Sequence, residues 1–568
     1  IIPLTLFSDE VMYPMPIRPL FNILRNEFVV SAVLALFLGF FLNYTVYFSR
    51  AQNQLLLAGD YGSLYLIAEI FANVLFSFFL FRLIAQTGLL SFKILSSFII
   101  LVSIAVSYYV MFYDVIIGYG ILVSTLATDS VELSQEAVGR HFYLWFSLLS
   151  VPALLLIWSA KKTDIQTASR RRALALFTFI VIPVLIFGYL KLADANQKKI
   201  EMNGSIDVSS YGGELSYSYL PTNWIVPLVQ YAVVKYDDTF NEIDLFDPAD
   251  KFTYTPAPQN DDLYVVFVIG ETARWDHMQL LGYERETTPL LSADKNVIAF
   301  KGQSCDTSTK LSLRCMFVRE GGVKDNEQRT VTENNVFSVM KQNGFYSELF
   351  SMQSEVWFYN RLDLDNYLIR EMITAQNRTP GKAIRDELLM DEVDDMLARK
   401  KQGQNLIILH TKGSHHLYSK RYPPEFRKYM PECTEEGTKC SIQEEINAYD
   451  NSILYTDHFL HDLTEKLKDK NAIVFYTSDH GESLGENNGM RLHGTPRHIA
   501  PPEQFRVPFI VWMSDTYIKN NQSLFDNLKE NSRTRTFFHH ELFDSILGCS
   551  GVTSPDGGIN NKNNLCYR

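Results

Sequence analysis

Apolar residues are spread unevenly along the 568 residues. The first two hundred carry five long apolar runs, at 29–48, 64–81, 94–113, 142–160 and 174–192. Each is close to the roughly 20 residues of helix that span a bilayer. The first follows a tail of some thirty residues and lacks a small-residue cleavage site, so it is expected to stay as a membrane helix. Basic residues mark alternate connections: Arg18 and Arg25 before the first run, Arg82 and Lys93 between the second and third, and Lys161, Lys162, Arg170, Arg171 and Arg172 between the fourth and fifth. The other connections hold little more than Arg50 and Arg140. Positive residues stay inside, so the amino terminus is expected in the cytoplasm and everything after residue 192 outside.

Beyond residue 193 the pattern weakens. Ile225, Leu228, Val229, Ala232 and Val233 recur at helical spacing after Trp224, which predicts a short amphipathic helix on the membrane surface or packed on the soluble part. Residues 237–262 are rich in Asp, Pro, Thr and Asn and read as an extended tether. From residue 263 short β-branched and aromatic runs take over, at 263–269, 405–409, 472–476 and 509–512, separated by helical stretches such as 384–399 and 444–467. That alternation predicts an α/β domain with a largely parallel sheet covered on both faces. The expected division is a membrane domain with five helices over 1–200, a linker over 201–262 and a catalytic domain over 263–568.

Composition adds two constraints. A formal net charge of −12 without a basic stripe argues against a nucleic-acid partner. Six cysteines, Cys305, Cys315, Cys433, Cys440, Cys549 and Cys566, form three pairs each close in sequence and match no zinc-knuckle spacing. Three local disulfides outside the cytoplasm are expected, each contributing on the order of 2 to 3 kcal/mol.

The chemistry gathers where strands end. Asp479 and His480 follow the 472–476 run, Glu271 follows 263–269, and His415 lies shortly after 405–409, with His493 in Leu492-His493-Gly494. The carboxyl edge of such a sheet is where ligands bind. Oxygen and imidazole donors in this mix suit zinc, and a set free of cysteine suits a catalytic ion. A hydroxyl nucleophile is expected nearby. Thr309 falls at the start of a predicted helix, but Thr307, Ser308 and Ser312 are rivals that spacing does not rank. In the exported loop 114–140, Thr128, Asp129, Glu132 and Glu136 could meet an amine-bearing headgroup or be a solvated surface.

Six ordered segments, Gly270-Glu271-Thr272-Ala273-Arg274, Gly282-Tyr283-Glu284-Arg285, 305–317, Asn447-Ala448-Tyr449-Asp450-Asn451-Ser452, 478–483 and Leu492-His493-Gly494, resemble the phosphoethanolamine transferases of Gram-negative envelopes. The resemblance implies five membrane helices in the bacterial inner membrane and a periplasmic domain of the alkaline phosphatase and sulfatase fold. It implies a zinc ion held by Glu271, Thr309, Asp479 and His480, with Thr309 as the nucleophile. His415 and His493 would hold a second metal or the phosphoethanolamine group. Cys305 with Cys315, and Cys433 with Cys440, match disulfides of the family. The implied reaction takes phosphoethanolamine from phosphatidylethanolamine, releases diacylglycerol and passes the group to lipopolysaccharide, in a protein expected to be a monomer.

Residues 274–278, 310–319, 352–358 and 554–560 look like the branch that modifies the outer Kdo sugar of the inner core. Members acting on lipid A usually carry Pro where this chain has Arg314, and Asn and Lys within the stretch that here reads Gln353 to Phe358. Three other readings are a lipid A phosphate as acceptor, phosphoglycerol transfer of the lipoteichoic acid synthase type, and a membrane sensor whose domain has lost catalysis. A sulfatase is disfavoured because no Cys/Ser-x-Pro-x-Arg pattern follows Cys305.

Overall fold

The structure, a computed structural model, describes residues 25–48, 51, 62–113, 115–127, 138–162, 215–240, 246–256, 262–319, 333–369, 385–399, 402–434, 440–486 and 490–568. Among these, four stretches are long and apolar enough to cross a membrane: Glu27–Phe48, Leu66–Gln86, Leu89–Tyr113 and Arg140–Ser159. They coincide with the first four predicted spans. The fifth, at 174–192, lies outside the described residues, as do Thr128, Asp129, Glu132 and Glu136.

The described residues fall into two units. The first holds helices α1 (Glu27–Gly39) and α2 (Gly62–Gln86), α3 (Leu89–Tyr113) up to Ser107, α5 (Arg140–Ser159) from Leu144, and the stretch Tyr219–Pro221. Gly39 lets α1 and α2 approach closely, since a Cβ there would lie 2.7 Å from Val74 Cα. The Tyr219–Pro221 stretch is fastened by polar groups on the apolar helices. Asn43 accepts from Leu220 N at 2.9 Å and donates to Leu220 O at 3.1 Å, and the Tyr219 hydroxyl donates to Glu69 Oε2 at 2.6 Å. A carboxyl group and an amide inside a membrane segment require such partners.

The second unit contains the rest. Its eight-stranded sheet comprises β1 (Leu263–Gly270), β2 (Val297–Gln303), β3 (Tyr346–Ser351), β4 (Asn366–Ile369), β5 (Gln404–His410), β6 (Asn471–Ser478), β9 (Arg506–Met513) and β10 (Phe537–Phe538). The strand pair β7 (Ser483–Leu484) and β8 (Arg491–Leu492) stands apart from it. The order is β10-β2-β9-β6-β1-β5-β3-β4. β1 pairs in parallel with β5 and β6, with Leu263 opposite both Gln404 and Asn471, so three strand ends come level. The period-2 alternation of β1 feeds two cores: Leu263, Val265, Phe267 and Ile269 pack into one, Tyr264, Val266 and Val268 into the other.

The expectation of a largely parallel sheet holds for β6, β1, β5, β3 and β4 but not for β9, which is antiparallel to both β2 and β6. An all-apolar buried run reads the same in either direction. Pro508 lies inside β9, just beyond its ladder with β6, which ends at Phe509.

Helices α7 (Thr309–Cys315), α8 (Leu389–Arg399), α9 (Ile442–Leu467) and α10 (Leu542–Cys549) cover the sheet. A capping box between Ser441 and Glu444 sets the start of α9. The three cysteine pairs are disulfides: Cys305–Cys315, Cys433–Cys440 and Cys549–Cys566.

Two further helices belong to this unit, α4 (Tyr119–Ala127) from the exported loop and α6 (Thr222–Phe240) from the linker. Tyr119 and Val123 of α4 pack with Leu311 of α7 and Tyr231 of α6. Ile116 packs with Tyr217, Met490, Ile499 and Val226. The amphipathic helix predicted in the linker is therefore present and packs on the catalytic unit through Val226 and Tyr231. Of the stripe that predicted it, Leu228, Val229, Ala232 and Val233 are exposed and Ile225 is half-buried.

Candidate active site

Glu271 follows β1, and Asp479 and His480 follow β6, so the level strand ends bring them together at full burial. Neighbouring backbone is shaped to fit them. Thr272 adopts a left-handed conformation with φ of 62°, which is unfavourable for a β-branched residue. That geometry aims its N–H at Asp479 Oδ1 at 3.2 Å and its hydroxyl at Glu271 Oε1 at 2.6 Å. Gly413, at φ 46°, is needed because a Cβ would meet Glu271 O at 2.8 Å. Its loop is held by the carboxylate of Asp386, which accepts from Lys412 N at 2.6 Å and Gly413 N at 2.9 Å.

Thr309 is the first residue of α7. Its Oγ1 lies 3.2 Å from Glu271 Oε2 and 3.3 Å from His480 Nε2. The rival hydroxyls are elsewhere: Thr307 donates to Thr495 O at 2.6 Å, and the buried hydroxyls of Ser308 and Ser312 have no hydrogen-bond partner among the described residues. The Cys305–Cys315 disulfide joins the loop before α7 to its last residue, and Cys305 N donates to the buried His539 Nδ1 at 3.3 Å.

The three histidines share one tautomer. His480 Nδ1 lies 2.8 Å from Gly481 O, His415 Nδ1 2.7 Å from His416 O and His493 Nδ1 2.9 Å from Glu482 Oε2. Carbonyl and carboxylate oxygens only accept, so each Nδ1 donates and a neutral ring presents its Nε2 lone pair. The His480 and His493 rings are 4.1 Å apart, and those of His493 and His415 6.3 Å. The predicted residues thus converge, with His415 and His493 set beside the carboxylates and Thr309.

The donor arrangement fits a cation. His480 Nε2 is 3.3 Å from Glu271 Oε1 and 3.3 Å from Asp479 Oδ2, and that buried Asp479 oxygen accepts no hydrogen bond among the described residues. A lone pair facing two buried carboxylates is repulsive unless positive charge lies between them. Tetrahedral zinc with arms of about 2.0 to 2.1 Å separates its ligands by about 3.3 Å, close to the spacing here. Glu271, His480 and His493 also form a set whose ligand atoms lie within 4.8 Å of one another.

The electrostatics state the same demand. Burial, reinforced by Glu271, pushes the Asp479 carboxyl up to about 8. Burial also opposes ionisation of Glu271, but the hydrogen bond and charge of His480 hold it well below the usual range. Burial works against a charged His480, yet Asp479 and Glu271 lift it to about 10. A proton on His480 would answer the field that a metal ion would answer. His415, by contrast, is pushed down to about 4 by burial and stays neutral.

Three residues that sequence reasoning did not assign complete the surroundings. Gln353 donates to Glu271 Oε2 at 2.8 Å, Glu482 orients His493, and Thr272 braces both carboxylates. Glu482 had a signal, standing two residues after His480 in Asp-His-Gly-Glu-Ser. Gln353 and Thr272 had none apart from adjacency. On the other flank, Gly120 of α4 faces Ser308, where a Cβ would come within 2.4 Å of its Oγ. Gly494, at φ 81°, leaves room for Ile121.

Sheet and site together define a sulfatase-fold enzyme joined to membrane helices, and the family model described as Sulfatase matches residues 264–552. A second model, described as Phosphoethanolamine transferase EptA/EptB, matches residues 71–236. The chain belongs to the phosphoethanolamine transferase family. It is 47% identical over 548 residues to the Kdo(2)-lipid A phosphoethanolamine 7''-transferase of Escherichia coli K12, covering 95% of this chain and 96% of the relative. It is 30% identical over 474 residues to phosphoethanolamine transferase EptA of Escherichia coli O157:H7, covering 81% and 82%. The integral membrane lipooligosaccharide phosphoethanolamine transferase A of Neisseria meningitidis superposes with a TM-score of 0.79 at 26% identity, over 94% of this chain and 97% of that one.

Proposed function

We propose that the protein moves phosphoethanolamine from phosphatidylethanolamine to the outer Kdo sugar of lipopolysaccharide, on the periplasmic side of the inner membrane, through a phosphothreonine at Thr309. The observation that carries this reading is the Thr309 hydroxyl, 3.2 Å from Glu271 and 3.3 Å from His480, in a chain so similar to a Kdo(2)-lipid A transferase.

Glu271, Asp479, His480 and Thr309 would hold a zinc ion. When bound, zinc supplies positive charge for the phosphoryl oxygens and lowers the pKa of a hydroxyl, making threonine an effective nucleophile. Thr309 Oγ1 attacks the donor phosphorus in line, the bond from phosphorus to the diacylglycerol oxygen breaks, and the threonine proton ends on that oxygen. In the second step the sugar hydroxyl attacks the same phosphorus. The bond to Thr309 breaks, and the incoming proton restores the threonine hydroxyl. His415 and His493 sit beside this path, where their Nε2 atoms would take the phosphoryl group or a second metal ion. Gln353 and Glu482 keep Glu271 and His493 oriented.

Mass spectrometry of lipopolysaccharide from cells with and without the protein tests the reading. Phosphoethanolamine on the outer Kdo, lost with Thr309→Ala, is expected. Its appearance on a lipid A phosphate would replace the acceptor, and phosphoglycerol would replace the transferred group.

A further inference from the structure

The segment Asn447-Ala448-Tyr449-Asp450-Asn451-Ser452, which stands out in the sequence and takes no part in the reaction as derived above, lies in the first half of α9. Tyr449 is fully buried, and its hydroxyl donates to Thr272 O at 2.7 Å and accepts from Arg274 N at 2.8 Å. One oxygen thus bridges the two ends of the tripeptide that follows Glu271. The bridge falls where the backbone is strained, since Thr272 keeps its φ of 62° although its branched Cβ disfavours it. The remaining N–H groups of the tripeptide point to the end of β6, Thr272 N to Asp479 Oδ1 at 3.2 Å and Ala273 N to Ser478 Oγ at 2.7 Å. The stretch is therefore tied to a strand end on one side and to α9, through Tyr449, on the other.

The ring that carries this hydroxyl is itself fixed. His277 and Tyr418 meet it nearly edge-on, with centroids 5.1 and 5.2 Å away and planes at 87° and 84°. His277 Nδ1 lies 2.7 Å from Oδ1 of the buried Asp450, whose Oδ2 accepts from Tyr283 Oη at 2.9 Å and Arg285 Nη1 at 2.8 Å. The same helix supports Glu271 from a second direction: the Glu271 carbonyl accepts from Ser414 N at 3.0 Å, and the hydroxyls of Ser414 and Ser452 are 2.8 Å apart. Phenylalanine at 449 would meet the packing demand alone, so the oxygen requires its own account. We infer that the Tyr449 hydroxyl is a positioning group for the metal cluster: by bridging Thr272 O and Arg274 N it holds Thr272 left-handed, and Thr272 then directs its N–H at Asp479 and its hydroxyl at Glu271. Without the bridge, φ relaxes toward negative values and both donors swing away from the carboxylates they orient. Tyr449 acts through Thr272 and touches no reacting group. The inference rests on the reading above, in which Glu271 and Asp479 hold zinc, and deepens it.

The test uses the full-length protein in lipid nanodiscs, stripped of metal and titrated with zinc against a chromophoric chelator, then loaded with cobalt for its visible spectrum. Tyr449→Phe keeps the ring and removes one oxygen. It is expected to weaken zinc binding at least about tenfold and to shift the cobalt bands. Tyr283→Phe is the control, because it removes a hydroxyl that bonds Asp450 in the same network and not residues 272–274. It is expected to lower the melting temperature, hold zinc affinity within about twofold and leave the cobalt spectrum as in wild type. Thr272→Gly adopts the same φ without strain, so adding Tyr449→Phe to it should cost less than about twofold more in affinity. Additive losses in that pair, equal losses in Tyr449→Phe and Tyr283→Phe, or wild-type zinc affinity in Tyr449→Phe would each overturn the inference. If Tyr449→Phe does not fold, the double variant decides: folded protein recovered by Thr272→Gly upholds the bridge, and none overturns it. Failure of the wild type to take up zinc would instead overturn the metal reading, and this inference with it.

Discussion

Gln353 Nε2 lies 2.8 Å from Glu271 Oε2, the carboxylate oxygen that the Thr309 hydroxyl approaches at 3.2 Å. The amide fixes the carboxylate plane, and the carboxylate in turn orients whatever it binds. Gln353→Ala is expected to lower zinc affinity and turnover about 10- to 100-fold with the fold intact. Competition with a chromophoric chelator and diacylglycerol release measure the two. Wild-type values in both would remove the amide from the site's workings.

Of the four candidate hydroxyls, those of Thr307, Ser308, Thr309 and Ser312, that of Thr309 is the one set against the carboxylate and imidazole donors. Thr309→Ala is expected to take up no phosphoethanolamine from the donor lipid, whereas Thr309→Ser retains slower labelling. Intact-protein mass spectrometry after incubation without acceptor reports both. A labelled alanine variant would move the nucleophile to another residue.

Chelation should be felt in the fold as well as in activity. Removing a bound ion leaves Glu271 and Asp479, both fully buried, 3.3 Å from His480 Nε2 with only a proton to answer their charge. An ion present at a hundred times its Kd stabilises the folded state by about 2.7 kcal/mol. Calorimetry of the full-length protein is expected to show a lower melting temperature with chelator and recovery with zinc. Asp479→Asn should shrink that difference, and an unchanged melting curve would argue against a metal at these residues.

Gly494 and Gly557 offer a controlled pair. Both have a positive φ, at 81° and 89°, so an alanine at either costs about 1 to 2 kcal/mol of backbone strain. A Cβ at Gly557 meets nothing within 4 Å, whereas one at Gly494 would lie 2.5 Å from Ile121 Cγ1 on α4. Gly494→Ala is expected to destabilise more than Gly557→Ala and, unlike it, to slow turnover, because the same loop receives the Thr307 hydroxyl at Thr495 O. Thermal melts and product release on the two variants decide it; equal effects would mean that α4 does not bear on the loop.

Much of this site was legible before any coordinates. Glu271, Asp479 and His480 stand where buried strands stop abruptly, and a polar residue at such a point reads clearly against its apolar run. The choice among Thr307, Ser308, Thr309 and Ser312 needed the fold, because spacing along the chain does not say which hydroxyl faces another strand's end. Gln353 and Thr272 act on carboxylates through contacts that no local pattern announces. The reversed direction of β9 was hidden for a related reason, since burial on both faces erases directional cues. The short helix α4 was read as exported loop, and its two tight glycine contacts belong to partners nearly two hundred residues or more away.

That helix carries a practical consequence. Together with α6 it flanks the nucleophile with residues that lie before position 263. A shortened protein beginning there would still contain every donor and Thr309, yet one side of the threonine would stand open to water. Such a fragment would be prone to hydrolyse its own loaded form, and an inhibitor selected against it would be fitted to a cleft lacking one of its walls.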